Sequence, residues 1–414
     1  METHAQEPLD VVVEALDTVR TLLDMDVSYI SEADQTHVTF RHVSGGGSEA
    51  RVTPGRALPL QDMFCAHIAN GTIPPVIGDT DAVALLKELR FTQEAKIRSL
   101  ISVPINRSDG SLYGMFCCYG HRPRPCLNQR DLKTVRMFAD LASRSLNMHI
   151  DASAMQRHAA NQINDVIDRR AIDTYLQPIV SLSDKTPMSA EALSRFRAQG
   201  PTDPMTWFNL AGKANMSLEL ELAAIAQAIS HLDSLPERMY MTVNASPETL
   251  RSPDLPVLLD AVPPDRLIVE LTEHTVIDDL PGLTEALETL RARRIGIAID
   301  DVGAGYAGLT TLLGLNADVL KLDRSLVSLI DSDPAKQALV KAMVYFANET
   351  NAFLVAEGVE RDAEHQTLLQ LGVRLGQGFL YQRPHPAELL TPLLDVQRAH
   401  KSVDTAAATA SRTA

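Results

Sequence analysis

The chain has 414 residues, 45% hydrophobic and 22% charged, a mix that supports packed cores in two or three domains of roughly 150 residues each. Its 38 Lys and Arg against 53 Asp and Glu give a net charge of −15, which argues against a nucleic-acid polymer as partner, because neutralising phosphates takes clustered cations. Four cysteines without CxxC spacing speak against a disulfide scaffold or zinc ribbon and for a reducing cytosol, and neither a signal peptide nor a bilayer-spanning stretch is expected.

Along the chain, Val11, Leu16, Val19, Leu22 and Leu23 fall near helical spacing, so residues 8–24 predict an amphipathic helix. VSYISEA and HVTFRHV read as strands before a Gly45-Gly46-Gly47 turn. Residues 61–70 read as a helix ending near Gly71, with Cys65 a buried apolar thiol. SLISVPI (99–105) and SLYGMFCCYG (111–120) predict a β-hairpin turning at Asp109-Gly110. On its second strand Cys117 and Cys118 are expected to point one into the core and one to the surface. A long helix over 128–149 follows, capped by Asn128. Helices on a central antiparallel sheet thus account for residues 8–150. Over 151–170 the helical pattern turns polar, which reads as a helical linker, able to form a two-stranded coiled coil in a dimer. The small, polar stretch 399–414 is expected to be disordered.

The region between has another rhythm. Short apolar strands alternate with helical stretches: YMTVN (240–244), LIVEL (267–271), IGIAIDD (295–301), VLKLD (319–323), FLVAEGVE (353–360) and GQGFLYQ (376–382). Such alternation implies a parallel sheet with crossover helices, best fitted by a closed (β/α)8 barrel, with a doubly wound open sheet as the alternative. Polar residues mark the strand ends: Asn244, Glu270, Asp300, Asp301, Lys321, Asp323, Glu357, Glu360 and Gln377, with Glu191 and Arg195 upstream. In a parallel barrel these ends converge on one mouth, where crowded carboxylates call for Mg²⁺ or Mn²⁺. Adjacent Asp300 and Asp301 suit two ions, a pair able to activate water and clamp a phosphodiester. Gly303 to Gly308 also spells GxGxxG, but two aspartates directly before it would oppose a pyrophosphate, and it lies in a late βα unit of the region.

Glu191-Ala192-Leu193-Ser194-Arg195 resembles the ExLxR signature of EAL-domain phosphodiesterases. Gln177-Pro178-Ile179, Asn244, Glu270-Leu271-Thr272-Glu273, Asp300-Asp301, Lys321-Leu322-Asp323, Glu357-Gly358-Val359-Glu360 and Gln377-Gly378-Phe379 continue the series in that family's order. The resemblance implies, over residues 171–398, a TIM-like barrel with its first strand reversed that hydrolyses cyclic di-GMP, a bacterial second messenger, to linear pGpG with two Mg²⁺ or Mn²⁺ ions. By motif, Glu191, Asn244, Glu270, Asp300, Asp301 and Glu357 would hold metal. Lys321, Glu357 and Glu191 would be catalytic, Gln177, Arg195 and Gln377 would contact substrate, and Glu273 would anchor the glycine loop. That loop departs from the family, reading DDVGAGYAGL where DDFGTGYSSL is usual. No GGDEF-like motif is present.

Residues 8–150 resemble a GAF domain, an α+β sensory fold, on VSYISEA, LPLQDMFCAHI, IRSLISVPI and GSLYGMFCCYG. The resemblance implies a homodimer whose GAF pair answers an unknown small-molecule or redox signal. The expectation is a cytoplasmic, GAF-regulated phosphodiesterase without membrane partners. The rival is a catalytically silent EAL domain acting as a cyclic di-GMP receptor.

Overall fold

A computed structural model describes residues 3–46, 51–197, 203–271, 279–303 and 314–389. It divides into two compact units, Met1–Gln156 and Arg157–Ala414. No helix among the described residues is long and apolar enough to cross a membrane. Glu273, most of the glycine loop and the 399–414 stretch lie outside the described residues.

The first unit is built on β1 (Val27–Ala33), β2 (His37–Gly45), β3 (Ala57–Pro59), β4 (Val76–Ile77), β5 (Ser99–Asn106) and β6 (Leu112–Gly120). They form one sheet in the order β3-β2-β1-β6-β5-β4, every pair antiparallel. The expected hairpin is β5–β6. Its turn rests on Ser111 N–H donating to Asp109 Oδ1 at 2.8 Å and on Gly110 at φ +84°, a conformation that favours glycine. The sheet is covered on both faces. One core gathers Tyr29, Phe40, Phe64 and Cys117; the other gathers Ile30, Phe116, Cys118 and residues of helices Thr3–Leu22 and Gln129–Asp168. This corrects the expectation for Cys118, which is buried, because those helices cover the face left to solvent in the sequence reading. The helix expected at 61–70 is shorter: a 3₁₀ turn at Leu60–Asp62, an extended Met63, then Phe64–Ala69. The helix from Gln129 to Asp168 is continuous through most of the polar stretch.

In the second unit, β7 (Ile172–Ser181), β8 (Pro187–Phe196), β9 (Tyr240–Ala245), β10 (Leu267–Leu271), β11 (Gly296–Val302), β12 (Val319–Leu322), β13 (Phe353–Ala356) and β14 (Leu375–Gln377) close a barrel. From β8 to β14 all neighbours are parallel, and β7 runs antiparallel to both β8 and β14. The open-sheet alternative falls with that closing β14–β7 pairing, and the reversed first strand is as the family resemblance implies. A two-residue strand, β15 (His385–Pro386), extends the same edge of β7. Strands such as Leu267–Leu271 are almost wholly buried, which is why they read as continuous apolar runs.

Two strands end earlier than expected. β13 stops at Ala356 because Gly358 takes φ +66° and the Arg324 side chain fills the space a Cβ would need. β14 stops at Gln377 because Gly378 lies directly against the Val359 backbone, leaving no room for a side chain. β11 carries the most informative irregularity. Ile299 pairs with Leu320 and Val302 with Leu322, so the three-residue step on β11 faces a two-residue step on β12. That bulge falls on Asp300-Asp301, with Asp301 at φ +53°, a conformation aspartate tolerates better than most residues.

Candidate active site

The barrel register brings the polar strand ends to one level. Gln177 lies opposite Glu191, and Glu270 lies beside Asn244. Lys321 is their meeting point. Its ammonium is 1% exposed and bonds Glu270, which is fully buried. It also lies 2.5 Å from Glu357 Oε1, 3.3 Å from Asp300 Oδ1 and 3.6 Å from Glu191 Oε2. Four carboxylates facing one ammonium would leave a formal surplus of three negative charges if all were ionised. Glu191 is fixed from its other side: Gln377 Nε2 donates to it at 2.6 Å and Asn244 Nδ2 at 3.2 Å. Gln377 also donates to Gln177 Oε1 at 3.1 Å.

Seven predicted residues thus touch one network around Lys321: Glu191, Glu270, Asp300 and Glu357 directly, Asn244 and Gln377 through Glu191, and Gln177 through Gln377. One does not join it. Arg195 donates to its neighbour's carbonyl, Ser194 O, at 2.8 Å and lies over the Tyr175 ring. Asp301 follows the bulge and its backbone N–H donates to Asp300 Oδ1 at 2.9 Å; Glu270, Asp300 and Glu357 have oxygens within 4.8 Å of one another. Glu273 lies outside the described residues. A cleft of about 250 Å³ opens over the network and is lined by Gln177, Glu191, Asp300, Glu357 and Gln377.

Sequence reading missed Arg324 and Glu364. Arg324 lines the cleft and pairs with Glu360 at 2.9 Å; its place directly after Lys321-Leu322-Asp323 was the available signal. Glu364 is buried and accepts the backbone N–H of Leu329, Glu360 and Arg361, each at 3.0 Å. It therefore pins the Glu357–Glu360 turn from a helix whose sequence gives no sign of it. That turn is also tied to β14, with Val359 N–H donating to Gln377 O at 3.0 Å.

Crowding sets the electrostatics. Burial pushes Glu357 up to about 8; Lys321 opposes the rise, and Asp300 and Glu191 add to it. Burial likewise raises Glu270, against Lys321 and with the other three carboxylates. Lys321 rises although burial alone would lower it, because four carboxylates favour its charged form. Glu270 Oε2 and Gln377 Oε1 are buried with no hydrogen-bond partner among the described residues. Clustered carboxylates and orphaned oxygens fit a hard divalent cation.

This gives a first expected result. At pH 7 the metal-free site holds a proton on Glu357, so loading Mn²⁺ should release about one proton per chain. The release should fade as pH rises well beyond 8. Calorimetric titrations in buffers of different ionisation enthalpy measure it, and buffer-independent heats at pH 7 would refute it. The same shift sets a sign for stability. Glu357 leaves its ordinary value of 4.5 for about 8 on folding, so its contribution is complete below pH 4.5 and is lost as pH rises through 8.

The EAL domain family matches residues 160–384 and the GAF domain family residues 7–146. MucR of Pseudomonas aeruginosa, a bifunctional diguanylate cyclase/cyclic di-GMP phosphodiesterase, is 31% identical over 247 residues, which are 57% of this chain and 36% of MucR. RocR of the same organism, a cyclic di-GMP phosphodiesterase, is 29% identical over 233 residues, 54% of this chain and 59% of RocR. The chain thus spans about a third to three-fifths of the length of these curated relatives. Among solved structures, the PaMucR phosphodiesterase in complex with c-di-GMP is 31% identical with a TM-score of 0.51, covering 56% of this chain and 99% of its own. An EAL domain protein from Listeria monocytogenes is 25% identical with a TM-score of 0.52, covering 57% of this chain and 98% of its own. The family match takes in over half the residues and every strand of the barrel, so the chain belongs to the EAL domain family, with a GAF domain ahead of the barrel.

Proposed function

We propose that this protein hydrolyses cyclic di-GMP to linear pGpG with divalent metal ions, under the control of its GAF domain. The observation that carries the reading is the convergence of Glu191, Glu270, Asp300 and Glu357 on Lys321 beneath an open cleft. Relatives whose names state this activity support it.

In this reading Glu191, Asn244, Glu270, Asp300 and Glu357 hold the metal ions, with Asp301 joining them from the far side of the bulge. A bound Mg²⁺ or Mn²⁺ pair supplies activation of water and neutralisation of phosphate charge. The rest is done by the chain. Glu357, having given up its own proton as the ions load, would accept the proton that the attacking water gives up. The Lys321 ammonium keeps the carboxylates from repelling one another apart and faces the charge that develops on the phosphate. Gln377 and Asn244 fix the Glu191 carboxylate, Gln177 accepts from Gln377, and Arg195, turning from Ser194, meets a phosphate. Arg324 adds positive charge at the rim of the cleft.

Residues 8–150 serve as the sensor, 151–170 as the helical linker and 171–398 as the phosphodiesterase. Two chains pair as a homodimer in the cytoplasm, where nucleotide messengers are made. The 40-residue helix Gln129–Asp168 supports a direct connection from sensor to barrel. The test is incubation of the full chain with cyclic di-GMP and Mn²⁺. Linear pGpG should accumulate, and Ca²⁺ should suppress it, because a larger ion with looser coordination misplaces the water. Tight binding without product would overturn the enzyme in favour of the receptor.

A further inference from the structure

A polar row crosses the first unit's core where the surroundings are apolar. Cys117 of β6 lies opposite Tyr29 of β1 and opposite Ser102 of β5, so the three side chains share one face of the sheet. Helix Phe64–Ala69 packs over that face and brings Cys65 to it. The Cys65 and Cys117 sulfurs are 3.8 Å apart, Ser102 Oγ lies 2.9 Å from Cys117 Sγ, and Tyr29 Oη lies 3.7 Å from Cys65 Sγ. All four residues are buried. Packing alone gives no reason to aim two hydroxyls at two touching sulfurs. Hydroxyl donors around a sulfur do favour its thiolate, the form that reacts with oxidants.

The two sulfurs are not equivalent. Burial pushes the Cys117 thiol up, but hydrogen bonds with Cys65, Ser102 and Tyr29 outweigh it and hold it below the ordinary thiol value. Cys65 is raised by its bond to Cys117 and by burial, so it keeps its proton. Cys118 points to the other core, and Cys126 is exposed.

We propose that Cys65 and Cys117 are a peroxide-oxidised thiol pair that closes to a disulfide inside the GAF domain. The Cys117 thiolate attacks hydrogen peroxide. The O–O bond breaks, hydroxide leaves and takes up a proton to become water, and Cys117 is oxidised to the sulfenic acid. Cys65, giving up its proton, attacks that sulfur; the S–S bond forms, the S–O bond breaks, and the departing hydroxide and the proton leave as a second water. Two thiols and one peroxide thus become one disulfide and two waters. A disulfide needs about 2.05 Å between sulfurs, which leaves roughly 1.8 Å to close. The bond would tie helix Phe64–Ala69 to β6 across a sequence separation of 52 residues.

The full chain is exposed to hydrogen peroxide, denatured, alkylated with iodoacetamide and digested. The expected result is the loss of the Cys65 and Cys117 thiols and one linked peptide pair joining them, two hydrogen masses lighter than its reduced parts and separated again by dithiothreitol. C126S, which removes only the exposed thiol, should lose the same two. C65S should stop at a Cys117 sulfenic acid trapped by dimedone. The wild-type peptide map needs no variant and decides the matter if C65S does not fold. Full alkylation of Cys65 and Cys117 after peroxide has consumed Cys126 would overturn the pair, as would a map joining Cys117 to Cys118 or Cys126. The readout is thiol state, independent of cyclic di-GMP turnover.

Discussion

Asp300→Asn is expected to cut turnover of cyclic di-GMP by at least ~10³-fold while leaving the barrel folded, the size of effect that losing a central electrostatic stabiliser produces. The substitution keeps the side chain's shape and one oxygen. That oxygen can still accept from the Asp301 backbone N–H, now at 2.9 Å, and from Lys321, now at 3.3 Å. What disappears is one negative charge from the group with Glu270 and Glu357. Mn²⁺ affinity should fall with turnover. Asp300 also helps to raise Glu357, so in the variant Glu357 should titrate lower than in the wild type and release fewer protons when metal is added. Steady-state kinetics, metal titration and a melting curve check the three parts. Wild-type turnover, or loss of turnover with wild-type Mn²⁺ affinity and proton release, would remove Asp300 from the metal site.

The legibility of this site in the sequence has a physical cause. Parallel barrel strands are buried on both faces, so LIVEL and VLKL read as apolar runs in which a lone Glu270 or Lys321 is conspicuous. Topology then carries consecutive strand ends to one mouth, and the convergence follows from position alone. The bulge at Asp300-Asp301 was not legible, because one extra residue in a ladder leaves no periodic trace. Reading the two aspartates as partners followed from their adjacency; the bulge sets Asp300 3.3 Å from Lys321 and gives Asp301 its positive φ. Arg195 shares strand β8 with Glu191 at an even spacing, which places it on the same face. Its guanidinium nonetheless lies over Tyr175, a choice of rotamer rather than of pattern. The row of Tyr29, Cys65, Ser102 and Cys117 was hidden for another reason. Its members come from three strands and a short helix, and only the register of an antiparallel sheet brings them together. Cys118 was misjudged because alternation along a strand tells which face a residue takes, not whether a helix covers that face.

Lys321→Met carries the other large expected effect, and it separates charge from packing. Methionine nearly matches the length of the lysine stem and removes only the ammonium. Turnover should fall by at least ~10²-fold, since the proposed function has this cation face the developing phosphate charge. In the metal-free protein the variant should also lose about 3–5 kcal/mol at pH 8, the cost of stripping one partner from a buried ionic cluster. The loss should shrink toward pH 5.5, where Glu357 holds its proton and the missing cation matters less. Mn²⁺ should narrow the gap as well, because a divalent ion takes over the charge balance that the ammonium provided. Melting curves of the barrel unit at pH 5.5 and 8, each with chelator and with Mn²⁺, form a four-way comparison. A purely packing role for Lys321 would give the same gap under all four conditions. That outcome would deny the ammonium its place as counter-ion to Glu191, Glu270, Asp300 and Glu357, and with it the electrostatic account of the site.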